Sequence, residues 1–261
     1  MSSLKRRARA VHRRLLRVYG EPVWRKRLAP LDELVSTILS QNTNDLNRDR
    51  AFERLRARFP TWEEVRDAPP EDVIEAIRPA GLANQKGPRL QQVLRSITEE
   101  RGGLDLDFLR GLPAQAARDW LMRFKGVGPK TAAIVLQFSL GIAAFPVDTH
   151  IHRVSGRLGL RPARASAEAS HALLADVFPP SAYYAAHLNL IRHGREVCQA
   201  RRPRCERCAL TDLCEYYQKY VSPALRRPRK GASASTNAPK RPRANSRRVE
   251  KVGRRAPRRR A

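Results

Sequence analysis

Acidic residues are the scarce class in this chain of 261 residues: 25 Asp and Glu stand against 52 Lys and Arg, a formal charge of +27. Long apolar runs are missing as well. No stretch approaches the roughly 18 consecutive apolar residues that a membrane-spanning helix needs. The first 17 residues carry charge but no apolar core ahead of a cleavage site, so no secretory signal is expected. No segment alternates apolar and polar residues with period two, which argues against β-strands. These absences leave a soluble intracellular protein, all-α and short of negative charge. A sequence pI near 11.3 favours a polyanionic partner and argues against a small-metabolite enzyme.

The excess charge sits at the ends. Residues 221–261 hold 15 Lys and Arg and one acid, Glu250, whereas 1–27 hold 10 and one, Glu21. The middle, 28–220, carries 27 basic and 23 acidic residues and is only mildly basic. The tail has Arg runs, Pro, Ser and Ala without apolar periodicity, and reads as a disordered arm suited to lie along phosphates. The 41% of apolar residues suffice for a real core. Helical spacing predicts helices over Leu4–Tyr19, Leu31–Leu39, Asn47–Phe59, Glu71–Ile77, Pro88–Glu100 and Ala114–Phe124. Thr61 and Glu64 form a capping-box start. Thr131–Leu140 is apolar almost all round, so a buried central helix is expected there.

Phe124-Lys125-Gly126-Val127-Gly128-Pro129-Lys130-Thr131 joins two of these helices. Glycines on either side of one apolar residue allow a tight turn and bare N–H groups for a phosphate, with Val127 plugging the turn into the core. Pro129 suits the first helical position, and the helix N-terminus adds a favourable dipole for an anion. The four cysteines, Cys198, Cys205, Cys208 and Cys214, fall within 17 residues with the spacing C-x6-C-x2-C-x5-C. Such a cluster reads as a metal site, with zinc and an iron–sulfur cubane both satisfied by four thiolates. The loop between the first two presents Arg201, Arg202 and Arg204, placed for phosphate contact.

The hairpin ending in Lys130, Val147-Asp148-Thr149-His150 some twenty residues on, and the cysteine spacing together resemble the endonuclease III family of DNA glycosylases, over roughly residues 25–220. The resemblance implies a two-lobed helix-hairpin-helix glycosylase fold. It assigns 1–29 to a basic N-terminal segment packing on the cluster lobe, 30–140 to a six-helix barrel lobe, 141–220 to an iron–sulfur lobe and 221–261 to a disordered tail. It also implies a [4Fe–4S] cluster on the four cysteines, a damaged DNA duplex as partner, no membrane, a monomeric state and a cytoplasmic, nucleoid-associated location. Lys130 would be the nucleophile, its neutral form favoured by desolvation and the helix dipole. Asp148 would cap its helix and stabilise positive charge on the sugar. Gln41 and Leu82 match the side chains that fill the hole left by a flipped nucleotide; Gly126, Val127 and Gly128 join Lys130 and the three arginines as DNA contacts. The implied activity is removal of oxidised pyrimidines followed by strand cleavage at the abasic site. The other readings are a monofunctional mismatch or base glycosylase and a non-catalytic DNA-binding protein. Thr37 stands where adenine-mismatch relatives place a catalytic Glu, and Lys130 where they lack a lysine. Asn42, Asn44 and Gln85 depart from many relatives. His150 and His152, two apart on a helix, face away from each other and are not expected to share a metal.

Overall fold

The structure is a computed structural model and describes residues 2–23 and 28–223. The described residues all belong to one unit. The basic tail expected from 221 on therefore lies, from 224, outside the described residues.

Among the described residues there are helices and no strands. Helix α1 covers Ser3–Tyr19, started by the Ser2 hydroxyl accepting from the Lys5 N–H. Then come α2 (Pro30–Leu39), α3 (Asp45–Arg58), α4 (Trp62–Asp67), α5 (Pro70–Ala76) and α6 (Ala83–Arg101). Further on are α7 (Ala114–Met122), α8 (Pro129–Ile134), α9 (Thr149–Arg157), α10 (Ala167–Val177) and α11 (Tyr183–Glu196). Thr61 caps α4 as the sequence predicts, its Oγ1 accepting from the Glu64 N–H at 3.2 Å, but the reciprocal half of the box differs: the Glu64 carboxylate accepts from the Thr61 hydroxyl, at 3.1 Å, in place of the Thr61 N–H.

Two apolar cores organise the unit. The first joins α2 through α8 and extends along 135–140, which continues α8 as a π-helical turn. Helix α2 lies at its centre: every residue but Asp32 is buried. Thr131–Leu140 is buried as expected, except for half-exposed Ile134. The second core is discontinuous in sequence. It takes Ala8, Val11 and Leu15 from α1 and joins them to residues of α9, α10, α11 and the cysteine loop. Ion pairs fasten this arrangement: Arg7 pairs with Glu215, and Arg14 with Asp212 at 3.0 Å while also donating to the Ala209 carbonyl at 2.7 Å.

Helix α6 begins five residues earlier than Pro88, where the sequence pattern suggested. Pro88 lies inside the helix, where its missing N–H removes the bond back to Asn84. The preceding turns hold because Lys86 and Gly87 are buried and packed.

Candidate active site and cysteine cavity

The hairpin is built as its residues demand. Val127 is buried in the first core, and its N–H donates to the Phe124 carbonyl at 3.0 Å. Gly126 alone of the two hairpin glycines takes a positive φ, 91°. The positive φ favours glycine, and a Cβ there would also displace the Arg89 side chain of α6, whose Cδ would lie 2.2 Å away. Gly128 is the extended N-cap of α8, and a Cβ there would meet open space.

Lys130 is the second residue of α8 and is exposed. The protein alone does not bury it, contrary to the desolvation expected of it from the sequence. Asp148 caps α9: its Oδ1 accepts from the Ile151 N–H at 2.7 Å, which fixes the carboxylate. Both residues line one open cleft of about 2120 Å3. Thr37, Gln41, Asn42, His150 and His187 line it too.

Gln41 is half-buried, and its Nε2 donates to the Gly126 carbonyl at 2.9 Å. Its neighbour Asn42 is exposed with φ 54°. Leu82 is 48% exposed with φ 51°, and Arg202 in the cysteine loop has φ 52°. These three are the non-glycine residues with positive φ among the described residues. Left-handed backbone at such side chains is uncommon and concentrates at functional positions. That signal is conformational and is not visible in the sequence. Leu82, which the resemblance matches to a side chain filling the hole left by a flipped nucleotide, is thus exposed and not part of the core.

The two helices α9 and α11 pack so closely that a Cβ on Gly194 would lie 2.9 Å from His150 Cβ. One end of this pair faces the cleft through His150 and His187; the other reaches the cysteines through Arg157 and His193. Cys198, Cys205, Cys208 and Cys214 all line a single small cavity. Arg157 staples the base of the loop, donating to the Gln199 carbonyl at 2.7 Å, the Ala200 carbonyl at 3.0 Å and Cys198 Sγ at 3.3 Å. Arg153 donates to the Cys198 and Gly194 carbonyls at 3.0 and 2.9 Å. His193 lies between the Tyr19 hydroxyl (3.1 Å) and Cys208 Sγ (3.6 Å), and its burial lowers its pKa to about 4. Burial, with the other cysteines adding to it, pushes the Cys208 thiol up to about 11 and also raises Cys205 and Cys214. Thiols in that state ionise readily only beside compensating positive charge. Among the described residues, no three His, Cys, Asp or Glu form a group that could hold a metal ion by geometry alone. His150 and His152 are engaged separately, with Arg153 and with the Ala165 carbonyl. Arg201, Arg202 and Arg204 are exposed and take part in no ion pair among the described residues.

The described residues form an all-helical unit with a hairpin between α7 and α8, and with Lys130 and the capped carboxylate of Asp148 on one cleft, which defines a helix-hairpin-helix protein. Residues 35–180 match the family model of the HhH-GPD superfamily base excision DNA repair proteins, and the chain belongs to that superfamily. Within it, the chain belongs to the endonuclease III family. It is 34% identical to Endonuclease III of Thermotoga maritima over 194 residues, which are 74% of this chain and 86% of that protein. It is 39% identical over 165 residues to an Arabidopsis thaliana protein named as a candidate DNA glycosylase, and the match spans 56% of that protein's length. The fold superposes on a trapped Endonuclease III–DNA covalent intermediate with a TM-score of 0.71 at 28% identity, covering 84% of this chain and 99% of that one. No helix among the described residues is long and apolar enough to cross a membrane.

Proposed function

We propose that the protein is a base-excision DNA glycosylase with abasic-site lyase activity, acting on oxidised or ring-saturated pyrimidines in duplex DNA. The observation that carries this reading is the meeting of Lys130 and Asp148 in one cleft, each at a different helix N-terminus. A phosphate-binding scaffold requires neither a lysine nor a fixed carboxylate there. Asp148, held by the Ile151 N–H, stabilises positive charge as it develops on the sugar, and accepts a proton from the Lys130 ammonium. The Lys130 amine attacks C1′, the bond to the damaged base breaks, and the base leaves with its electron pair and a proton. Opening of the sugar gives an imine. Loss of a 2′ proton then expels the 3′ phosphate by β-elimination, and water later frees the lysine.

Gly126, Val127, Gly128 and the start of α8 take the backbone phosphates, aided by Arg201, Arg202 and Arg204. Leu82 is the apolar wedge. Gln41 enters the space left by the flipped nucleotide by exchanging the Gly126 carbonyl for a base edge, with exposed Asn42 beside it. Thr37, which lines the cleft, has no carboxyl group to act as an acid, so a lysine-based reaction suits this cleft better than an adenine-mismatch one.

The four cysteines would hold a [4Fe–4S] cluster, which is supported by four sulfurs around one cavity and by the N–H donors of Arg157 and Leu210 directed at them. When bound, such a cluster pins the loop that bears the three arginines and can exchange an electron. We place the protein as a monomer among the DNA of the cytoplasm.

Borohydride trapping on a duplex bearing thymine glycol or an abasic site tests the reading. A covalent adduct with the wild type and none with Lys130→Ala is expected. Base release without an adduct would make the protein a monofunctional glycosylase. Tight binding with neither release nor adduct would leave a DNA-binding scaffold.

A further inference from the structure

Lys86 is the bulkiest of the fully buried side chains among the described residues, 2% exposed, in the second turn of α6. A cation is costly to bury, and a lysine there needs specific partners to hold it. It has two: Nζ donates to the Leu39 carbonyl at 2.7 Å and to the Ala80 carbonyl at 2.8 Å. Burial lowers its pKa.

The partners share one feature. Leu39 is the last residue of α2, so its carbonyl is among those a helix leaves without an internal donor, at the negative end of the dipole. Two and three residues on come Gln41 and Asn42. Ala80 closes the short turn Arg78–Ala80, and two residues on comes Leu82. Lys86 thus clamps the root of each loop whose tip has a left-handed backbone. The same helix carries Arg89, packed against Gly126, to which Gln41 is bonded. A group that only filled space in the core would be a leucine or methionine, with no reason to join these two roots.

We propose that Lys86 is a positioning residue that fixes the spacing of the Gln41–Asn42 tip and the Leu82 tip, so that the two enter the duplex as one unit. This rests on the glycosylase reading above. Extruding a paired base depends on that unit more than cleavage at a site that already lacks its base, because unpairing is then absent.

The test compares single-turnover base release from duplex thymine glycol with strand cleavage at a preformed abasic site, for wild type, Lys86→Met, Leu82→Ala and the double variant. Methionine keeps the length and apolar stem while removing the donors. We expect Lys86→Met to slow base release about tenfold or more, as sub-ångström misplacement does, and abasic cleavage less than about threefold. The double variant should be no slower than about threefold below Leu82→Ala, because the two changes act through one element. Equal losses in both reactions, or losses that multiply in the double variant, would reduce Lys86 to a core residue and overturn the proposal. Lys86→Arg is the second variant, to be read in the same two reactions where Lys86→Met does not fold. A wild type that releases no base and forms no adduct defeats the glycosylase reading itself. An active wild type indistinguishable from both Lys86 variants defeats only the positioning role.

Discussion

Gln41 and Gly126 are joined across 85 residues of sequence, the side-chain amide of one donating to the main-chain carbonyl of the other at 2.9 Å. The link ties the loop after α2 to the hairpin and holds the two in one register. Gln41→Ala is expected to slow base release from a paired lesion by about tenfold, the scale of a small misplacement, with abasic cleavage much less affected. Asn42→Ala, measured in parallel, decides which amide enters the duplex. A larger loss at Asn42 would make Gln41 the anchor of the hairpin and Asn42 the filler.

Asp148 has a structural and a chemical task, and two substitutions separate them. Asn retains an oxygen for the Ile151 N–H but carries no charge. Asp148→Asn should melt close to the wild type while losing about 100-fold or more in base release, as loss of a preorganised electrostatic group does. Asp148→Ala should show the same catalytic loss and about 1 kcal/mol less stability, the value of an N-cap. Thermal melts and single-turnover rates check both.

The cysteine cavity makes a compositional prediction. The purified protein should contain about four iron atoms per chain, with visible absorption from the cluster and little zinc. Cys208→Ser should lose most of that iron. A single zinc per chain would return the site to the other tetrathiolate chemistry.

His171 gives the fold an acid limit. It is buried in α10, bonded through Nδ1 to the Phe145 carbonyl at 3.1 Å, and burial lowers its pKa to about 4. The unfolded chain, with an ordinary histidine pKa near 6.5, binds the proton more readily than the folded one. Stability from this residue is therefore complete above about pH 6.5 and falls as the pH drops towards 4, by about 3 kcal/mol at the lower end. His171→Asn keeps a group in the Nδ1 position and removes the titration. Its melting temperature should fall less steeply between pH 6.5 and 4 than that of the wild type.

Features written in neighbouring residues were legible before any coordinates. The Thr61 cap, the Asp148 cap and the hairpin turn at Gly126 each depend on a few consecutive positions, and backbone geometry alone gives them meaning. The assignment of Lys130 and Asp148 to one chemistry came from the family resemblance, since nothing in their spacing places them in the same cleft. Lys86 was not legible. In sequence it is one lysine in a polar stretch ahead of a proline, and its partners lie six and 47 residues away. The early start of α6 escaped for a related reason: Pro88 looks like a first helical residue, and only the packing of Lys86 and Gly87 holds the turn before it. The Gln41–Gly126 link and the left-handed tips depend on tertiary contact and on φ, neither of which is visible in residue types.

The split second core has a consequence for synthesis. Helix α1 leaves the ribosome ahead of the other described helices, yet the residues that bury Ala8, Val11 and Leu15 and pair with Arg7 and Arg14 are among the last of the described chain to be made. Contacts so far apart in sequence form late, after the loop between them has closed. The core around α2 has all its partners by residue 144 and can condense while the remainder is still being translated. During that interval a basic amphipathic helix waits without its mate, its apolar face uncovered and its charge open to the cell's polyanions.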